Sequence, residues 1–478
     1  MTFKTYGAGC CAADALHSTV VRRFPPVAGM VRRIALVAGI IVLLACIVLP
    51  PVFGARARSL LEPRLNALGE SFRPDVMLAV WFDNWETGWF SSTATVTVEA
   101  TFGEQGRAAA VPLDLAGSYR VTMPRAITLR HGPVLVGNLW GVGWGSAELA
   151  IDATTVPDLD KFLAQSGVEA IARLAALVSF LGGATIAIEV PPFRTADDGA
   201  TEIRFAGLDA TVNVSPDGTR GRSSGTLHRL GVTDTGVSGL EIARLEWAGD
   251  AQREVAIGDS WLGNAVVTVE RVSVSSGGAS VFEMDSARFD AATSIDDDNL
   301  VGTNRHTAIR LRFGNVQLDS VALDIAATYP VRAAARLAES ADGFADASSA
   351  SEAMADALRE RITLRIEELS LRYADMPFKA MLDVDYRGDQ HGDAPVATDF
   401  ATLARVTSAE LDASMHKDLV RAAGVSALTR LLPGMARLGL VGESANEYQI
   451  HATYRDGELL FDGKPVDLGL LVALMAGT

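Results

Sequence analysis

Apolar and polar residues alternate with a period of two along several stretches of this chain. The clearest runs are TATVTVEATF at 93–102, AIRLRFGNVQLDSVALDI at 308–325 and RITLRIEELSLRY at 361–373. Such alternation places successive side chains on opposite faces of a strand. It is typical of an antiparallel sheet with one covered face. The sequence therefore predicts a mainly β domain.

Turn signals separate these strand-like runs. They are SPDGTRG at 215–221, SSGGAS at 275–280 and YRDGEL at 454–459. The Gly and Asp residues in them allow the positive φ that tight hairpins require. Neighbouring strands are therefore expected to be joined by short hairpins.

Helical periodicity interrupts the strand pattern at three places, residues 158–181, 331–361 and 402–438. Their apolar stripes favour packing on the covered face of the sheet. The predicted fold class is α+β, mainly β: an extended antiparallel sheet with several amphipathic helices on one face, preceded by one N-terminal transmembrane helix.

Residues 34–54 contain no charged side chain and are long enough to cross a bilayer. The alternative is a signal peptide, since Ala55-Arg56-Ala57 has the form of a cleavage site. A retained anchor is favoured because the run exceeds the ~7 to 15 residues of a signal h-region. The basic tail 1–33 would then be cytoplasmic, and translation could also start at Met30, leaving 1–29 untranslated.

The chain after the anchor divides into two parts. Residues 55–72 place leucines along one stripe, which predicts a short amphipathic linker helix. Residues 73–478 form the sheet-rich domain, with possible subdivisions near 195 and 400.

Charge and cysteine content narrow the function classes. The net charge is −16, and the first 33 residues carry five basic groups against one acidic group, so the remainder is near −20. An acidic body repels phosphate backbones, which argues against nucleic acid as a partner. All three cysteines lie in the first 46 residues, so the large domain has neither disulfides nor thiolate chemistry.

Three motifs suggest chemistry, and each has a simpler interpretation. GRSSG at 221–225, with His228 close by, matches a nucleophile pattern but lacks the strand-to-helix context, so a glycine-rich turn is favoured. Asp296, Asp297 and Asp298 lack calcium-loop spacing, which favours a solvated turn. GNLWGVGWGS at 137–146 is better explained as a glycine-kinked strand. We therefore assign no catalytic, cofactor-binding or metal-binding residue and expect no cofactor.

The stretch WFDNWETGWFSS at 81–92 is rich in aromatic residues. A strand that is apolar on both faces is either central in a core or in contact with lipid, and the core is favoured. Gly88 would permit a bend, and Trp89 and Phe90 would enter opposite faces. Ser91 and Ser92 would then form local hydrogen bonds.

Three segments together have the pattern of a known family: the GWFSS stretch from Gly88 to Ser92, ITLRHGPVLVG with His131, Gly132 and Pro133, and the C-terminal YQIHATYRDGELLFDGKPV. In these segments the chain resembles the YdgA family of bacterial membrane-anchored proteins. We expect Gly88–Ser92 and His131–Pro133 to be structural motif residues. The resemblance implies an inner-membrane anchor and a periplasmic domain, and it supplies no activity.

The functional hypothesis is a non-enzymatic envelope protein that contacts the membrane through 34–54 and binds a lipid, another apolar ligand or an envelope protein. The first alternative is an envelope hydrolase whose site is assembled from distant residues. The second is a structural or assembly factor.

Overall fold

A computed structural model describes most of the chain beyond residue 75. The described residues are 76–87, 91–102, 118–122, 127–131, 135, 139, 141–153, 160–196, 201–234, 238–254, 257, 260–314, 316–335, 359–388, 406–422, 426–455 and 457–466.

Most of these residues belong to one antiparallel sheet of 25 strands. The first nine strands are β1 (Val76–Thr87), β2 (Ser91–Phe102), β3 (Ser118–Thr122), β4 (Ile127–His131), β5 (Gly143–Ile151), β6 (Ala172–Ser179), β7 (Ala184–Val190), β8 (Phe193–Ala196) and β9 (Thr201–Phe205). The next nine are β10 (Leu208–Val214), β11 (Arg220–Asp234), β12 (Ser238–Glu254), β13 (Ser260–Ser276), β14 (Ala279–Asp296), β15 (Asn299–Ala308), β16 (Arg310–Phe313), β17 (Val316–Leu318) and β18 (Ser320–Pro330). The last seven are β19 (Arg361–Tyr373), β20 (Met376–Arg387), β21 (Thr407–His416), β22 (Gly442–Glu443), β23 (Glu447–Arg455), β24 (Glu458–Phe461) and β25 (Lys464–Pro465).

Most strands pair with the next strand in the sequence. Two short hairpins lie to the side of this succession: β9 of the β8–β9 hairpin pairs with β11, and β16 of the β16–β17 hairpin pairs with β14. In addition, β2 pairs with β4 as well as with β3, and β21 pairs with β23. Fourteen strands follow one another across the sheet as its main line: β5 to β7, β10 to β15, β18 to β21, and β23. At ~4.8 Å between neighbouring strands, this line is about 60 Å across.

Helices are few in the described part of the chain. They are α1 (Asp160–Ser166), α2 (Lys417–Ala422), α3 (Ser426–Arg437) and a helical turn at 331–335. The predicted α+β class with several amphipathic helices on one face is therefore wrong, because strands take up most of the described residues.

Two of the predicted helical segments are only partly helical, because each also contains a strand. Residues 158–181 hold α1 and then β6, and residues 402–438 hold β21 before α2 and α3. In β6, the segment ARLAALVS is apolar at all but two positions, so its pattern does not distinguish a period of two from one of 3.6. Pairing with β5 and β7 selects the strand. Of the third segment, 331–361, the structure describes only the two ends.

The three alternating runs are confirmed as strands. The first lies in β2, the second is divided into β16, β17 and β18, and the third coincides with β19. The hairpin prediction also holds for SSGGAS, where Gly277 and Gly278 both have positive φ between β13 and β14.

No helix among the described residues is long and apolar enough to cross a membrane. The anchor predicted at 34–54 and the linker helix predicted at 55–72 fall in the part of the chain before residue 76, so both stay predictions.

A bulge in β19 keeps the sheet in register. Ile366 pairs with Leu382, but Leu369 pairs with Ala380, so Glu367 and Glu368 together oppose Met381. The apolar residues of β19 change from even positions (Ile362, Leu364, Ile366) to odd positions (Leu369, Leu371) at this bulge. The extra residue therefore keeps both sets of apolar side chains on one face.

Deleting Glu367 is expected to destabilise the protein strongly. The deletion would turn one half of β19 over, so that either Leu364 and Ile366 or Leu369 and Leu371 would face the wrong side. Thermal unfolding of Glu367→Ala is the control, because a substitution of this exposed residue keeps the bulge and should change stability by less than ~0.5 kcal/mol. Equal melting temperatures for the deletion and the substitution would contradict the assignment.

Candidate functional site

One face of the sheet is apolar across all fourteen strands of the main line. Residues paired directly across antiparallel strands share a face, and the register links two long rows. The first row is Leu149, Leu174, Ile188, Ala210, Gly225, Trp247, Val267, Phe289, His306, Leu323, Leu369, Ala380, Ala413 and Ile450. The second row is Ala147, Ala176, Ile186, Val212, Ser223, Gly249, Ala265, Ala291, Asn304, Ile325, Ile366, Leu382, Leu411 and Ala452. We call the surface formed by these rows the apolar face; neither row contains a charged residue.

The opposite face is polar. Its row beside the first apolar row is Arg173, Glu189, Asp209, Thr226, Glu246, Thr268, Arg288, Thr307, Ala322, Ser370, Lys379, Ser414 and Gln449. Ion pairs join many charges on this face, including Arg288 with Asp290 at 2.6 Å and Arg365 with Asp383 at 2.8 Å. Many of the opposite charges on this face therefore neutralise one another in ion pairs.

A helix covers the C-terminal end of the apolar face. Leu432 and Met435 of α3 are each 2% exposed and belong to a core with Tyr448. Ile450 of the first row packs against the same core. This end of the sheet therefore has a conventional second layer.

A polar pair is buried at the N-terminal end. Ser92 pairs with Leu129, which pairs with Ala147, so Ser92 extends the second row onto β2. The side chains of Ser92 and His131 are 1% and 2% exposed. A hydrogen bond of 3.0 Å joins Ser92 Oγ to His131 Nε2. Leu129, Leu135 and Val178 are the other residues most deeply buried here.

The middle of the apolar face has no such cover from the described residues. In β10 to β18 only Val269, Ala287 and Leu300 are buried among the strand residues that the structure describes. Ala265 and Ala291 of the second row are exposed, and Trp247 and Phe289 are only half-buried. Leu300 packs against Ile257 and against Ala334 of the helical turn at 331–335. Most other apolar side chains there have lateral neighbours, and in these strands no described residue of the two rows is buried beneath a second layer.

Trp247 lies flat against the sheet in this open middle. A Cβ atom on Gly225, its cross-strand partner, would come within 2.2 Å of the indole ring. Glycine is therefore required at 225 for the ring to pack on the backbone. Trp247, Val267 and Phe289 together form an aromatic-rich ridge beside the smaller residues of the second row.

A separate cluster of potential ligands lies on the polar face near the C-terminus. Asp412 Oδ1 is 2.7 Å from His451 Nδ1, and ligand atoms of Glu410, Asp412 and His451 all lie within 4.8 Å of one another. The hydrogen bond that His451 Nδ1–H donates to the Asp412 carboxylate raises the pKa of His451, and the negative charges of Asp412, Glu410 and Asp462 raise it further. The side chains of His451 and Asp412 are both about half exposed, so they form an ordinary surface ion pair.

The prediction of a glycine-rich turn at 221–225 is wrong, because these residues lie within β11. Ser223 and Ser224 lie inside β11, paired on both sides with β10 and β12, so there is no nucleophile elbow. His228 contacts Asp209 at 2.9 Å. Of the glycine-kinked strand predicted at 137–146, only 143–146 lie in a described strand, β5, which has a register shift between Gly143 and Gly145.

The aromatic motif is described only in part. Residues 88–90, with Gly88, Trp89 and Phe90, lie outside the described ranges, as do Gly132 and Pro133. The prediction that Ser92 bonds locally is wrong, because its partner is His131, 39 residues away. A separation of 39 residues matches no catalytic motif, and only the pairing of β2 with β4 brings the two side chains together. The same separation hid the Asp412–His451 pair from sequence reasoning.

Comparison with known families gives one match. The model of the family described as "Bacterial protein of unknown function (DUF945)" matches residues 30–469. The chain belongs to this family. The matched range includes all 25 described strands, so the apolar face and the Ser92–His131 pair both lie within the family domain. No curated protein and no solved structure matches the chain.

Ser92→Ala is expected to destabilise the protein by ~1 to 3 kcal/mol, because it removes a buried hydrogen-bond partner of His131. Ser91→Ala is the matched control on the other face of β2, with an expected change below ~0.5 kcal/mol. Denaturant unfolding of both variants measures the difference, and equal stabilities would rule out a structural role for the Ser92 hydroxyl.

His451 is expected to titrate above its ordinary pKa of 6.5. Because the pKa is raised in the folded state, the Asp412–His451 pair stabilises the fold below pH 6.5, and this contribution is lost as pH rises through the folded pKa. NMR titration of the imidazole in wild type and Asp412→Asn measures the effect. An unchanged pKa in the variant would contradict it.

Proposed function

We propose that this protein is a membrane-anchored, non-enzymatic periplasmic protein whose apolar face binds the acyl chains of lipids. The observation that carries the proposal is the charge-free apolar face, uncovered by described residues across the middle strands. Contiguous exposed apolar surface on a soluble domain marks an interaction site.

The composition of the face favours acyl chains over a folded protein partner. Protein interfaces need about one hydrogen bond per 100–200 Å². Between β12 and β20 the two rows supply polar side chains only at Asn304 and His306. An acyl chain needs no hydrogen bonds along its length, so it suits such a surface better.

The size of the face also suits lipids. One acyl chain spans about half of the ~30 Å hydrocarbon core of a bilayer. The main line of strands is about 60 Å across, so several acyl chains could lie along it. An anchor at 34–54 and an inner-membrane location, as in the YdgA family that the sequence resembles, would keep the domain close to a lipid source.

The buried Ser92–His131 pair favours a second candidate, an envelope hydrolase. A serine hydroxyl hydrogen-bonded to a histidine is the arrangement of an activated nucleophile. Because both side chains are at most 2% exposed, a substrate would have to open this end of the sheet to reach them. The acyl-binding function needs no such opening.

The test compares neighbouring residues on the two faces of β13. Val267→Asp places a charge in the first apolar row between Trp247 and Phe289, whereas Thr268→Asp places the same charge on the polar face beside Arg288. Mass spectrometry should find much less lipid retained by the full-length Val267→Asp protein than by wild type or Thr268→Asp. Melting temperatures of both variants report whether each one folds.

Equal lipid retention in the folded Val267→Asp protein and in the Thr268→Asp control would exclude the apolar face as the binding site.

A further inference from the structure

We propose that Asn304 and His306 bind the carboxyl-type end group of an acyl ligand and so fix its position on the apolar face. This inference rests on the proposed function and names the residues that would select the ligand.

The two residues interrupt the apolar face at a single strand. Asn304 and His306 are two positions apart on β15, so both side chains lie on the same face. Asn304 pairs with Ala291 on one side and Ile325 on the other. His306 pairs with Phe289 and Leu323, and its ring meets that of Phe289 edge-on with 5.4 Å between centroids. Each polar side chain therefore has apolar neighbours on both adjacent strands.

Charges near this pair lie on the other face. Arg305, between the two residues in sequence, points to the polar face and pairs with Asp324 at 3.8 Å. The amide and imidazole groups consequently offer hydrogen-bond donors in surroundings without competing ions. In an apolar site, a small number of polar groups typically fixes the orientation of the ligand. A carbonyl or carboxyl oxygen at the end of an acyl chain can accept hydrogen bonds from these donors.

The surface beside the pair accommodates one chain. From Asn304 towards β11 the second row continues with Ala291, Ala265, Gly249 and Ser223, and the ridge of Phe289, Val267 and Trp247 runs parallel to it. From β15 to Trp247 on β12, three strand spacings of ~4.8 Å give ~14 Å. The hydrocarbon of one bilayer leaflet is about half of ~30 Å thick. A chain held at Asn304 and His306 would therefore end near Trp247.

The test uses hexadecanoic acid, its methyl ester and hexadecane as probes of the full-length protein held in an amphipathic polymer. The double variant Asn304→Leu/His306→Leu removes the polar pair. The double variant Thr303→Leu/Thr307→Leu is the matched control, because these residues lie on the opposite face of the same strand. Melting temperatures confirm folding of both.

Wild type and the control should bind the acid alike, and the Asn304→Leu/His306→Leu protein should bind it about tenfold more weakly, the effect of losing one or two hydrogen bonds. Its affinity for hexadecane should change less than about threefold. A parallel loss for the methyl ester would identify the carbonyl oxygen as the recognised group, and a loss for the acid alone would identify the carboxylate.

Equal changes for the acid and hexadecane would overturn the inference, since they would indicate altered packing only. Undiminished binding of the acid would overturn it as well. If wild type bound none of the three probes, the proposed function itself would fail. If wild type bound them and the Asn304→Leu/His306→Leu protein bound all three equally well, only the inference about Asn304 and His306 would fail.

Discussion

The pairing of apolar side chains across neighbouring strands is the interaction on which this structure depends. In the middle of the sheet almost no described side chain is buried beneath a second layer, so stabilisation there comes from backbone hydrogen bonds and from lateral contacts such as Trp247 with Val267 and Val267 with Phe289. Correct register is therefore essential. The β19 bulge matters for this reason, because a slip of one residue would divide the apolar face.

The strands could be predicted from the sequence because their alternation is local. RITLRIEELSLRY coincides with β19, although its phase changes at Glu367 and Glu368. The helices could not be predicted with the same success. Alanine-rich segments such as β6 fit both periods, and the choice between them depends on partners elsewhere in the chain, β5 and β7.

The candidate site was predictable only in outline. Alternation indicated an apolar face, but the continuity of that face requires the register of fourteen strands, which no local pattern contains. The position of His306 illustrates this. In sequence it is a single histidine in a polar stretch, and only its pairing with Phe289 and Leu323 places it among apolar residues. The Ser92–His131 hydrogen bond was hidden for the same reason.

The order of the strands has a consequence for how the chain acquires its structure. Most strands of the main line pair with a neighbour to which a short connection joins them, although pairs such as β18–β19 and β20–β21 have longer ones. Short loops cost little entropy to close. Each new hairpin can add to an edge that has already formed, so the sheet can grow from either end without waiting for distant segments. A growing edge also exposes unpaired backbone groups until the next strand arrives. Until the last strand has paired, the same edge is open to strands of other molecules, so the order of growth that favours rapid folding also creates a period of susceptibility to aggregation.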